Sequence, residues 1–246
     1  MFSLFLTKPK LSELIPENYI DIHSHVLPGI DDGAQKMEDS RFLLESMIGF
    51  GFSKIITTPH TMKNVWDNTA TSIENAHTSV ITELPELSKH VSLQCASEYF
   101  LDENLLQRAQ NEKLLTLKNN FILIELSYLN APIQLFDFLF ELQLKGYQLV
   151  LAHPERYTYF HSNKKEYLKL KKAGCLFQLN LLATVGYYGK DVADISNYLL
   201  KENLYDFTGS DIHHKNHVKA FEMKIKHNNG DKISELMEKN KYFGFH

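Results

Sequence analysis

Cysteine is nearly missing from this sequence: only Cys95 and Cys175 occur in 246 residues. Both lie in apolar, strand-like runs, so they read as buried free thiols in a reducing compartment and not as a disulfide framework. No apolar run approaches the roughly 18 residues needed to span a bilayer. The first ten residues put a short apolar run ahead of lysines, the reverse of the order in a secretory signal. A cytoplasmic protein is expected. An excess of positive charge is missing too. Lys+Arg number 26 against 30 Asp+Glu, a net charge of -4, which argues against a general nucleic-acid binder. There is no internal repeat, no low-complexity tract and no Gly/Ser linker. One domain over residues 19–246 therefore fits best, with residues 1–18 as a polar, Pro-containing N-terminal extension.

What is present is alternation. Strand-like runs fall at Tyr19–Ile22, Lys54–Thr58, Val91–Ala96, Phe121–Ile124, Gln148–Ala152, Cys175–Leu179 and Tyr205–Thr208. Helical spacing fills the intervals near 38–50, 68–84, 102–111, 132–145, 163–173 and 190–202, and again over 216–240. Gly174 is placed to end one of these helices. The run Leu135–Leu144 is apolar nearly all round, which predicts a deeply packed helix. Seven strands alternating with helices predict an α/β fold with a mostly parallel sheet, closed into a barrel or doubly wound.

In such folds chemistry collects where the strands end. The first strand runs into His23 and His25, which share a face because strand side chains alternate with a period of two. Asp32 follows in the next loop. The second strand ends at His60, the third at Glu98, the fourth at Glu125, the fifth at His153 with Arg156 close behind, and the seventh at Asp211 and His213. The sixth ends in Asn180. His, Asp, Glu and Cys make up under one fifth of the chain, so finding them at six ends of seven points to a site. Five histidines and four carboxylates exceed what one metal needs, and a multinuclear centre with nitrogen and oxygen ligands is expected. The lack of cysteine in the set suits manganese, iron or zinc in a catalytic role.

Taken singly, several of these residues have plainer readings. Glu125 is costly to bury unpaired, so it requires a cation or a salt bridge. His60 fits a hydrogen-bonded loop histidine as well as a ligand, and Asp31 reads as a turn residue before Gly33. His77, His90, His161, His227 and His246 have no strand-end placement and are expected on the surface. Tyr99, Phe100, Tyr128, Tyr157, Tyr159, Phe160, Tyr187 and Tyr188 follow strand ends. They suit either loop packing, the commoner role, or a slot for a phenyl ring.

Four segments carry a family signature: Asp21-Ile-His-Ser-His-Val-Leu-Pro-Gly-Ile-Asp-Asp-Gly-Ala34, Thr57-Thr-Pro-His60, His153-Pro-Glu-Arg-Tyr157 and Ser210-Asp-Ile-His213. On these the chain resembles the polymerase and histidinol phosphatase (PHP) family of metal-dependent phosphoesterases, in its bacterial capsule-biosynthesis protein-tyrosine phosphatase branch. The resemblance implies a distorted (β/α)7-type barrel and three divalent metal ions, manganese before iron or zinc. It implies one metal on His23, His25, Glu98 and Asp211, a second bridged by Glu98 and held by Glu125 and His153, and a third on Asp32, His60 and His213. Arg156 would bind phosphate. The family's second arginine, after the last Asp-x-His pair, is missing here, leaving Lys215, His217 or Lys219 as stand-ins.

The implied reaction is attack of a metal-activated hydroxide on a phosphotyrosyl protein, the tail of a tyrosine kinase that controls exopolysaccharide synthesis. Neither cysteine is followed by an arginine six positions on, so a thiolate-based phosphatase loop is absent. The alternatives are a small-molecule phosphatase such as histidinol phosphatase, and, outside enzymes, a metal-bound regulatory module.

Overall fold

Nine short strands and eight helices alternate along residues 8–244, the part of the chain that the computed structural model describes. In chain order they are β1 (Tyr19–Asp21), α1 (Met37–Gly49), β2 (Phe52–Thr57), β3 (His60–Thr61), α2 (Ala70–Glu83), β4 (Ser92–Cys95), β5 (Glu98–Phe100), α3 (Glu103–Asn111), β6 (Phe121–Glu125), α4 (Leu135–Leu144), β7 (Gln148–Ala152), α5 (Lys165–Lys172), β8 (Leu176–Asn180), α6 (Lys190–Lys201), β9 (Phe207–Gly209), α7 (Lys215–Ala220) and α8 (Gly230–Glu238). Local chemistry sets several of the boundaries. Thr69 and Ser72 exchange side-chain and backbone hydrogen bonds in a capping box at the start of α2, and the Asp102 carboxylate caps α3 by accepting from Leu105 N–H at 2.9 Å. Gly174, at φ +82°, ends α5 as its position in the sequence predicts.

All strand pairs are parallel, in one sheet ordered β1-β2-β4 and another ordered β3-β5-β6-β7-β8-β9. Two of the seven expected strands are each split in two. Thr58-Pro59 separates β2 from β3, and Ala96-Ser97 separates β4 from β5. At the first break Pro59 has no N–H to continue the ladder, so the chain kinks and passes to the other sheet; the second break follows it, with Ser97 Oγ donating to the Pro59 carbonyl at 3.0 Å. The pieces beyond the kinks span only two and three residues, too short to register as separate strands in the sequence.

The seven strand positions make a single α/β domain of two parallel sheets with helices outside, and a single parallel bridge from Ser24 to Ile212 joins the first and last positions in the manner of the expected distorted barrel. Its closure is uneven. Past β1 and β9, Asp211 N–H donates to His23 C=O at 2.7 Å and His25 N–H to Ile212 C=O at 2.9 Å. At the opposite end of the same seam the buried Asn240 side chain stands between the strands. It accepts from Thr208 N–H at 3.0 Å and donates to the carbonyls of Ile20 and Thr208, each at 2.8 Å. Inside, the lower level is apolar, built from Ile20, Ile22, Ile56, Leu123, Val150 and Phe243. Two residues further along, the same inward face turns polar: Leu123 leads to Glu125 and Ala96 to Glu98, while on β8 the already polar Gln178 leads to Asn180.

Outside the barrel, α4 corrects one expectation. Leu135, Phe138, Leu139 and Leu142 are buried, but Phe136, Phe140 and Leu144 are exposed. A helix on the outside of a barrel has only one face against the sheet, so an all-apolar sequence leaves the other in solvent. The segment 216–240, expected to be helical, holds two helices, α7 and α8. Residues 9–12 run beside 221–225, with Leu11 N–H donating to Met223 C=O at 3.0 Å and Ile225 N–H to Pro9 C=O at 3.1 Å; Leu11 is buried. The first seven residues of the expected extension, and His246, lie outside the described residues. No helix among the described residues is long and apolar enough to cross a membrane.

Asn240→Ala removes three hydrogen bonds and a longer one to Tyr19 Oη at 3.4 Å from a buried seam and is expected to cost about 2–4 kcal/mol of unfolding free energy, which urea denaturation measures. A loss below about 1 kcal/mol, the worth of a single ordinary hydrogen bond, would show that the seam holds without it.

Candidate metal centre

The strand ends converge as the sequence predicts, but their orientation depends on partners further back. His25 Nδ1–H donates to Asp31 Oδ2 at 2.7 Å, which turns Nε2 toward the centre. Asp31 also accepts from Gly33 N–H at 2.9 Å and from His60 N–H at 3.2 Å. The turn reading of Asp31 is therefore incomplete, because its buried carboxylate ties the loop to two donor histidines. Gly33 must lack a side chain, since a Cβ there would lie 2.1 Å from the His25 carbonyl oxygen. His23 Nδ1–H donates to Gln178 Oε1 at 2.8 Å, and Gln178 Nε2 donates in turn to Leu179 C=O. His23 Nε2 then stands 3.1 Å from Glu98 Oε2 and 3.2 Å from Asp211 Oδ1.

Two donors sit on strained backbone. His153 has φ +36° and Asp211 φ +51°, in the left-handed region that non-glycine residues seldom adopt. These turns swing the side chains that follow β7 and β9 into the ring.

All nine residues expected as ligands meet there. Four tight groups occur: His25, Asp32, His60 and His213; His23, Glu98 and His153; His23, His25 and Asp211; and His60, Glu98 and Glu125. The third implied set is thus found whole, with His25 added. The second is divided. Glu125 pairs with His60, whose Nδ1 is 2.9 Å from Glu125 Oε1, while His153 Nε2 bonds Glu98 Oε1 at 3.0 Å. Each imidazole closes on the carboxylate nearest to it.

The electrostatics follow from packing carboxylates together. Burial opposes ionisation of Glu98, yet His23 and His60 hold it well below the usual carboxylate range. For Asp211, burial is likewise outweighed, by His23 and His213. Glu125 is raised, first by burial and then by the charge of Glu98. Burial works to lower His60, but Glu98 and Glu125 outweigh it and hold it up to about 10. Burial leads in lowering His153 to about 4. The cluster demands positive charge.

The residues fit divalent cations. His25 Nε2, His60 Nδ1 and His153 Nδ1 are buried without a hydrogen-bond partner, each at a cost of about 1–3 kcal/mol in a site that is otherwise highly ordered. His60 Nδ1 is close to Glu125 but not aligned for a hydrogen bond, and His25 Nε2 lies 3.4 Å from Glu98 Oε2. Nitrogen and oxygen donors with no sulfur suit manganese, iron or zinc.

Beside the cluster opens a cleft of about 240 Å3. Arg156 reaches into it, donating from Nη1 to Asp211 Oδ2 at 2.9 Å. The guanidinium carbon lies 4.2 Å from the centre of the Tyr188 ring and 4.7 Å from that of Tyr128. Glu155, buried, pins the turn that carries Arg156 by accepting from Asn180 N–H and Tyr205 O–H, each at 2.8 Å. Asn180 Nδ2 also donates to Asp211 Oδ2 at 2.6 Å. Of the three stand-ins for a second arginine, His217 alone lines the cleft. Burial lowers it to about 3, so it offers a neutral ring and not a cation. Lys215 and Lys219 are exposed.

Among the aromatics, Tyr99, Tyr157 and Tyr159 bond backbone groups of neighbouring loops and Phe160 is buried, so packing is their role. Of the four described histidines expected on the surface only His90 is exposed; His77 and His161 are half-buried and bonded to Leu93 C=O and Glu155 C=O, and the half-buried His227 stands 3.1 Å from Asp194. Gln178 and Glu155 had no role from sequence reasoning, and Asp31 had only that of a turn residue. Gln178 carried one usable signal, a polar residue on the inward face of an otherwise apolar strand.

Comparison with known proteins agrees with this geometry. The tyrosine-protein phosphatase YwqE of Bacillus subtilis is 31% identical over 195 residues, covering 79% of this chain and 77% of that protein. A solved structure from work on YwqE of B. subtilis and CpsB of Streptococcus pneumoniae, described there as unique metal-dependent tyrosine phosphatases, superposes with a TM-score of 0.76. It shares 29% identity and covers 92% of this chain and 88% of its own. A histidinol phosphate phosphatase of Lactococcus lactis shares the fold, with a TM-score of 0.56 and 13% identity over 94% of this chain and 95% of that one. The family model for capsular polysaccharide synthesis, CpsB/CapC, matches residues 19–240. With nearly the whole described chain inside that match, the protein belongs to the CpsB/CapC family.

Proposed function

We propose that this protein is a cytoplasmic, metal-dependent protein-tyrosine phosphatase whose substrate is the phosphorylated tail of a tyrosine kinase that controls exopolysaccharide synthesis. The observation that carries the reading is a single guanidinium, Arg156, held between two tyrosine rings at the edge of a nine-donor cluster in one cleft. The names of the relatives support the substrate class, and the family supports the setting.

His23, His25, Asp32, His60, Glu98, Glu125, His153, Asp211 and His213 would hold three divalent cations, manganese being the proposed species. Bound there, such cations supply a nucleophile at neutral pH and neutralise charge on a phosphoryl group. The chain's own groups do the positioning. Arg156 offers the N–H groups not engaged by Asp211 to the phosphoryl oxygens. Tyr128 and Tyr188 restrict its swing, and Glu155 fixes the turn below it. His217 adds a neutral hydrogen-bonding edge to the same cleft. A compact-substrate phosphatase like histidinol phosphatase shares the fold, but at 13% identity the likeness extends no further than the fold. A regulatory module would not require an arginine opening onto the cluster.

With manganese present, turnover of a phosphotyrosyl peptide is expected to exceed that of histidinol phosphate and to vanish on chelation. The reverse preference would move the protein to small-molecule metabolism. Arg156→Ala is expected to lower kcat/KM by about 10²–10³-fold, as for loss of one transition-state donor, with metal content by elemental analysis unchanged. Loss of metal in that variant would assign Arg156 a structural role. Asp31→Asn, which weakens the hold on His25 Nδ1–H, is expected to reduce affinity for one cation by about 10–100-fold in a chelator competition. Unchanged affinity would reduce Asp31 to a turn residue.

A further inference from the structure

A second depression adjoins the cleft of Arg156 on the far side of Tyr128. It has a volume of about 350 Å3, and its inner wall is made of three of the candidate donors, Asp32, His60 and Glu125. The rest of its lining is mostly apolar, made of Met62, Trp66, Phe100, Leu126 and Leu129, with Ser127 as the polar exception beside Tyr128. Tyr128 lines both depressions. A group bound at the donors therefore has Arg156 on one side and an apolar slot on the other.

The slot is built rigidly against the donors. Two residues after His60, Met62 and Trp66 pair across a tight turn, with Trp66 N–H donating to Met62 C=O at 2.8 Å and Met62 N–H to Trp66 C=O at 3.0 Å. Asn64 supplies the positive φ of +65° that this turn requires. Asn68 Nδ2 ties the end of the hairpin back to the His60 carbonyl at 2.8 Å. Leu129 is 88% exposed, an apolar side chain left in water at the mouth. An open slot walled by an indole, a phenyl ring, a thioether and two leucines matches a flat aromatic group better than a charged or hydroxylated one.

We propose that this slot takes the aryl ring of an aryl phosphate ester and that Trp66 is the residue that sets the preference for aryl over alkyl esters. The assignment rests on the phosphatase reading above and adds to it the side on which the substrate's leaving group lies. Another depression, of about 290 Å3, adjoins His213 and contains Phe42 and Leu43, but Gln35, Asp39 and Lys215 break up its surface. Only His213 of the donor set lines it, so it touches the reacting centre at one point where the Trp66 slot touches it at three.

Trp66 is the only tryptophan in the chain and lines both this slot and a neighbouring depression with Lys63 and Arg108, so its fluorescence reports on the slot when a ligand with the ring is compared with one without it. The test is titration of the manganese-loaded protein with phenylphosphonate and with methylphosphonate, neither of which can be hydrolysed. Phenylphosphonate is expected to change Trp66 emission saturably, and methylphosphonate to bind without doing so. In calorimetry, Trp66→Ala is expected to weaken phenylphosphonate about 3–10-fold, the worth of one aromatic contact, and to leave methylphosphonate within about twofold, the scatter expected of an untouched site. Phe42→Ala is expected to change neither. Equal weakening of both ligands by Trp66→Ala would make Trp66 a structural residue. Phenylphosphonate binding with silent emission, or weakened by Phe42→Ala instead, would put the ring elsewhere; either result overturns the proposal. Emission from the unsubstituted protein decides the matter even if the Trp66 variant does not fold. Because binding is read without turnover, a protein that binds phenylphosphonate against Trp66 yet hydrolyses no phosphotyrosyl peptide would keep the slot and lose the phosphatase reading. Turnover without any response at Trp66 would do the opposite.

Discussion

Glu98 is the point on which the arrangement turns. It is fully buried, and its two oxygens lie 3.0 Å from His153, 3.1 Å from His23 and 3.2 Å from His60. A carboxylate in that position is tolerable only with positive charge around it. Three donors on three other strand ends are held together by that need. Asp211 repeats the pattern across the ring, shared among His23, Arg156 and Asn180. The upper layer of the barrel is thus a charge-balanced polar core set on an apolar one. The strained backbone at His153 and Asp211 is tolerated because the surrounding layer over-determines it.

The same demand separates recognition from binding of the centre. Arg156 is paired with Asp211 and stacked between Tyr128 and Tyr188, so its direction is set before any substrate arrives, which lowers the ordering cost of binding. Tyr128 divides the open face, with a cationic wall on one side and an apolar wall on the other. A phosphate ester with an apolar leaving group meets both walls at once. A compact polar ester meets only the first.

Ring closure is the weak place in the fold. The first and last strands pair directly only near the donors, and Asn240 takes over at the other end. Tight pairing is kept where His23, His25 and Asp211 must be placed to within tenths of an ångström. At the far end, a side chain from the C-terminal segment is enough. That division brings the beginning and end of the chain together, and residues 9–12 lie beside 221–225 in the same region.

Much of this was legible in the sequence. Apolar runs of strand length separated by helical spacing mark seven strand positions, and the period of two places His, Glu and Asp at their C-terminal ends, because local geometry along one strand is enough to say so. Asn180 showed itself as a polar strand end without a stated role. The limits lay wherever a contact joins residues far apart in the chain. That Asp31 turns His25, that Gln178 turns His23, that Glu125 faces His60 and not His153, and that Trp66 and Leu129 line one slot are consequences of how the ring closes. The exposed face of α4 is another, since its apolar pattern does not say which side meets the sheet. By itself the sequence determined which side chains are available and which strand ends they occupy, because period and spacing are properties of a single segment. The tertiary structure decided which of them meet and in what orientation, because distances across the ring depend on kinks, left-handed residues and buried charge balance that no single segment contains.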